Sequence, residues 1–116
     1  MNQDKKHEIS LQTAIEMTKR FRASKPSDLP ICETFEMEAI QKLLDTYGCG
    51  YLRIYYGRKE NGDIHAILVA ADPDDMDILP SPDPDYVDEY EDNVIIIVED
   101  GYRCPTLCPP ESPINS

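Results

Sequence analysis

Three features of the sequence predict an α+β fold, with two N-terminal helices packed on a small antiparallel sheet. Residues 10–47 hold two stretches of apolar side chains at helical spacing, and residues 51–71 hold two strand-like runs around an Asn61-Gly62 pair. A further apolar run at residues 93–99 follows a long acidic excursion. The expected order is helix, helix, strand, strand, loop, strand and tail in two layers. At 116 residues the chain has material for one core. Residues 1–9 are expected as a flexible N-terminus, 10–100 as the single domain and 101–116 as an extended C-terminal tail.

The first helix is read from "SLQTAIEMTKRFRAS". Ser10 suits the cap, and Leu11, Ala14, Ile15, Thr18 and Phe21 share one face. Lys19, Arg20 and Arg22 stand in the last turns, where cations complement the helix dipole. Pro26 and Pro30 then break the chain. A second helix is expected from residues 32–34 to residue 47, with Met37, Ile40, Leu43, Leu44 and Tyr47 as its apolar stripe and Gly48 at a left-handed terminus.

"YLRIYYG" and "IHAILVAA" read as strands joined by a hairpin at Asn61-Gly62. The second of these and the run at 93–99 are apolar on nearly both faces, as strands covered on both sides are. Two helices cover only one face of such a sheet, so the other face is expected to meet the tail or a second subunit. Between the strands, residues 72–92 carry ten acidic side chains, four prolines and no basic residue. Self-repulsion and proline predict an extended acidic loop there, ordered in part by Ile78, Leu79, Tyr86 and Tyr90.

The net charge of −12 argues against nucleic acid and against anionic membranes. The charge is uneven, because residues 1–25 carry six basic and three acidic side chains. No signal-peptide core and no membrane-length apolar run is present, so the expected compartment is the cytoplasm. Reduced thiols are the rule there.

Candidate chemistry starts with four cysteines. Cys104 and Cys108 have the spacing of one half of a zinc site, which Cys32, Cys49, His7 or His65 would have to complete from elsewhere in the chain. A Cys104–Cys108 disulfide is sterically feasible, but two ordinary thiols are the expected state in a reducing compartment. Cys32, placed at a helix N-terminus, is the candidate nucleophile of a thiol enzyme. Asp72, Asp74, Asp75 and Asp77 begin like a calcium loop but lack its glycine and its final carboxylate. No phosphate loop, dinucleotide fingerprint or nucleophile elbow occurs.

The remaining candidates are contact residues. Tyr51, Arg53 and Tyr55 share one strand face in the composition of an interface. Asp83, Asp85 and Asp88 offer an acidic surface for a basic protein partner. Tyr102, Arg103, Pro105, Pro109 and Pro110 belong to a proline-stiffened tail that loses little entropy on docking. These features predict a non-enzymatic protein-interaction module, with homodimerisation among its expected contacts and a zinc-binding protein and a Cys32 thiol enzyme as the alternatives.

Three stretches, "PICETF", "LRIYYG" and "EDGYRCPTLCPPESPINS", together with "HAILVA", resemble small uncharacterised bacterial proteins that pair a similar globular body with a Cys-Pro tail. The resemblance runs from the first helix to the terminus and is thinnest over residues 72–92. It implies a free-standing bacterial cytoplasmic protein and no particular chemistry.

Overall fold

The computed structural model describes residues 6–81 and 95–116. The first helix, α1, spans Leu11–Ser24, and the Ser10 hydroxyl oxygen accepts from the Thr13 amide at 3.1 Å as its cap. Its apolar stripe does not reach the core, since no residue of α1 is buried. Among the described elements, the helix with extended contact to the sheet is the second one. That helix, α2, spans Met37–Leu44, lies against the central hairpin and supplies the fully buried Leu43.

The expected start of the second helix is instead a strand. β1, Cys32–Thr34, pairs antiparallel with Tyr102–Cys104, setting Cys32 opposite Cys104, Glu33 opposite Arg103 and Thr34 opposite Tyr102. Pairing with a segment about 70 residues away overrides the local helical pattern, as tertiary context commonly does. The helix then begins after Glu36, whose side chain makes no capping bond. The helix ends at Leu44 and not at Tyr47, so Gly48, left-handed with φ 82°, stands three residues beyond the C-cap Asp45 and does not terminate it.

The hairpin forms as read. β2, Tyr51–Arg58, pairs with β3, Ile64–Ala71, over the full length of both strands. The connection closes with the Gly62 amide donating to the Lys59 carbonyl at 2.9 Å, and Gly62 has φ 98°. Leu68 of β3 joins Leu43 and Val98 in the core, with Phe35, Ala39, Ile40, Ala66 and Ile96 packed around them.

Three different segments share the second edge of β3. At one end β4, Asp77–Ile78, pairs with Ala70 and Ala71, so the acidic stretch contributes a strand that its composition did not predict. In the middle, Leu68 and Val98 exchange backbone hydrogen bonds of 2.7 and 3.0 Å as an isolated antiparallel bridge. At the other end the Ala66 amide donates to Glu33 Oε1 at 2.9 Å. The apolar run at 93–99 was expected to be a full strand, but its described part, from residue 95, holds only this bridge. Pairing stops because Asp100 turns left-handed, φ 68°, where continued register would set it opposite Ala66. The chain then crosses to the other sheet as β5, Tyr102–Cys104.

Fold class is therefore α+β, with one two-stranded and one three-stranded antiparallel sheet among the described residues. The tail begins as β5, and its end meets α1, where Arg22 donates to the carbonyls of Ile114 at 2.8 Å and Ser116 at 2.6 Å. No described helix is long and apolar enough to cross a membrane.

Candidate functional site

The crossing from β3 to β5 brings charged side chains together around a buried histidine. His65 leaves β3 with its side chain 8% exposed, and Glu33 leaves β1 with its side chain 10% exposed. His65 Nδ1 lies 3.8 Å from Glu33 Oε2 and 3.8 Å from Glu99 Oε2. Neither Nδ1 nor Glu33 Oε2 has a hydrogen-bond partner among the described residues, although both are buried. Buried polar atoms without partners are rare, because each forfeits its hydration.

Backbone geometry builds this site. Gly101 is buried, and a Cβ there would stand 2.7 Å from Phe35 Cζ and 3.0 Å from Glu33 Oε2. The absence of a side chain at Gly101 thus lets β5 pass over Phe35 and Glu33. The left-handed Asp100 sends its carboxylate outward to Lys59, whose ammonium lies 2.7 Å from Asp100 and 3.4 Å from Glu99. The Lys59 hydrogen bond holds the Asp100 carboxyl below its ordinary pKa, and Asp100 in turn raises that of Lys59. His65, Glu99 and Asp100 present donor atoms that all lie within 4.8 Å of one another.

Of the three states weighed for Cys104 and Cys108, the structure holds the disulfide. Cys104 and Cys108 form a disulfide rather than two ordinary thiols. A tight turn, with the Leu107 amide donating to the Arg103 carbonyl at 2.7 Å, brings their Cα atoms to 4.4 Å, inside bonding range. With these sulfurs bonded to each other, the zinc set of Cys104, Cys108, Cys32 and Cys49 lacks two of its thiolates. Cys32 stands in β1 beside Cys104 and not at a helix N-terminus, so it has no helix dipole to activate it. Cys49 lies ahead of β2, and its thiol donates to the Tyr51 carbonyl at 3.5 Å.

The contact residues divide by region. Arg53 is drawn onto the acidic stretch, bonding Asp75 and, at 2.5 Å, Asp77, while the Tyr55 hydroxyl also donates to Asp77. These bonds, Tyr55's first, hold Asp77 below its usual carboxyl range and raise the pKa of Tyr55 and Arg53. Asp72 accepts from the amides of Asp74 at 2.9 Å and Met76 at 3.0 Å, so it closes a turn. Asp83, Asp85 and Asp88 lie outside the described residues. In the tail, Tyr102 donates to Glu36 at 3.0 Å, and Arg103 donates to the carbonyls of Asp28 and Ile64 and pairs with Asp63 at 3.4 Å. Pro105, Pro109 and Pro110 are exposed.

β2 carries a second candidate surface. Apolar and aromatic side chains are exposed on both of its faces: Leu52, Ile54 and Tyr56 on one, Tyr51 and Tyr55 on the other. Its outer edge has no backbone partner among the described residues.

Sequence reasoning missed the junction for an identifiable reason. Glu33, Lys59 and the adjacent Glu99 and Asp100 come from three separate segments, which only the tertiary fold brings to His65. The one local signal was a histidine inside the apolar strand "IHAILVAA". No protein-family model matches this chain, and neither a curated protein nor a solved structure does.

Proposed function

We propose that this protein is a non-enzymatic protein-interaction module that associates with a second copy of itself through β2. The observation that carries the reading is an eight-residue edge strand with large side chains exposed on both faces, Ile54 at 50% and Tyr56 at 78%. Such edges template pairing with another strand, and contiguous apolar exposure marks contact surfaces. Charge favours a second copy as the occupant. On a chain of net charge −12, residues 46–58 contain no Asp or Glu, and the carboxylates held against them, Asp75, Asp77 and Asp28, are paired with Arg53 and Arg58, so two copies meet there with little unpaired charge. Antiparallel pairing of β2 with β2 is self-complementary about a two-fold axis.

Sedimentation equilibrium on the full chain, beside Ile54→Lys, tests this. The expected result is a wild-type dimer that persists or strengthens as salt rises, because apolar contact is kept while repulsion between acidic chains is screened. Ile54→Lys is expected to be monomeric. A wild type that stays monomeric at every concentration overturns the reading. The acidic stretch 72–92 and the Cys-Pro tail 101–116 remain as surfaces for a basic partner, whose binding would instead weaken steeply with salt.

A further inference from the structure

We propose that His65, Glu99 and Asp100, beside the buried Glu33, form a binding site for one divalent cation of the first transition row. The spacing decides between a proton and an ion. At 3.8 Å from each of two carboxylate oxygens, His65 Nδ1 is too far to hydrogen-bond either. The same spacing is shorter than twice a metal–ligand bond of about 2.0–2.2 Å, so an ion fits between Nδ1 and Glu99, and Asp100 offers a donor in the same group, all within 4.8 Å of one another. Nδ1 and Glu33 Oε2 are the two buried side-chain atoms left without hydrogen-bond partners among the described residues, and they face each other across this gap.

The surroundings fit a cation. Three carboxylates and the Lys59 ammonium leave the group with an excess of two negative charges when His65 is neutral, and a divalent ion cancels it. Glu33 stands outside the ligand set and is fixed by its other oxygen, which accepts the Ala66 amide at 2.9 Å, so its charge adds to the negative field at His65. Asp100, whose side chain is 72% exposed, swings in as Lys59 releases it. An imidazole with carboxylates suits zinc, manganese or iron better than magnesium or calcium. Lys59 is the built-in competitor, since it occupies the two carboxylates nearest the solvent.

Titration of the chelator-stripped full chain with Co2+, read by visible absorption, and with Zn2+, read by calorimetry, tests the site. One ion per chain is expected. His65→Asn and Glu99→Gln are each expected to weaken binding at least about tenfold. Lys59→Met is expected to tighten it, a gain that misfolding cannot imitate. The Cys32→Ser/Cys49→Ser variant is expected to bind as the wild type does. The proposal is overturned if His65→Asn and Glu99→Gln bind with unchanged affinity, or if Co2+ shows thiolate charge-transfer bands that the cysteine variant abolishes. It is equally overturned if the His65 ring resonances follow pH and ignore Zn2+, which would make the cluster an imidazolium held between carboxylates.

Discussion

The junction around His65 and the outer strand β2 depart from ordinary packing in opposite ways. At the junction, polar atoms are buried without partners. On β2, apolar side chains are exposed without cover. Each departure carries a free-energy cost that association or ligand binding relieves, and the two call for different ligands, an ion in one place and a protein surface in the other. β3 connects them. β2 covers one of its edges with a continuous ladder, whereas the other is shared among β4, the Val98 bridge and the Glu33 carboxylate. A continuous ladder leaves side chains free to face solvent, and a shared edge leaves seams where charged groups are trapped.

The largest effect is expected in the core common to both regions. Leu43→Ala removes the fully buried anchor of α2 and is expected to cost about 2–5 kcal/mol in chemical denaturation. A cost below that range would show that α2 is not what seals the sheet. At the junction, Gly101→Ala drives a methyl into Phe35 and Glu33 and is expected to cost about 1–3 kcal/mol. Glu33→Ala leaves the Ala66 amide unmet, with an expected loss of about 1–3 kcal/mol, while Glu33→Gln keeps an acceptor there and loses less. Equal losses from the two Glu33 variants would show that charge, and not the Ala66 bond, is what Glu33 contributes.

On β2 the expectation is reversed. Ile54→Lys is expected to leave unfolding within about 0.5 kcal/mol of the wild type, when compared as monomers, and to change only sedimentation. The smallest effect concerns the Arg53–Tyr55–Asp77 group. Because the folded pKa of Asp77 lies below its ordinary 3.8, the group's contribution is present above that value and is lost as pH falls through the lower folded one. Asp77→Asn is expected to flatten the acid limb of a stability–pH curve. An unchanged limb would remove Asp77 from the account.

Local chemistry made several elements legible in the sequence. Ser10 caps α1 through its own hydroxyl, and Asn61-Gly62 sets a hairpin whose two strands follow from their composition. These rest on contacts between near neighbours, which composition and spacing encode directly. The Cys104–Cys108 bond also joins near neighbours, but the state of the sulfurs depends on a turn that the spacing alone left open.

Tertiary structure decided the rest. Residues 32–34 have helical surroundings yet become a strand, because Tyr102–Cys104 returns to pair with them. Asp77 and Ile78 lie in an acidic stretch yet extend the sheet, because β3 offers an open edge at Ala70 and Ala71. The His65 cluster exists only where β1, β3 and the turn at Asp100 meet. The sequence by itself determined which segments have helical or strand periodicity and where the acidity lies. Which strand edges were left to fill, and so which charges were buried together, was decided by long-range pairing, whose partners no local pattern records.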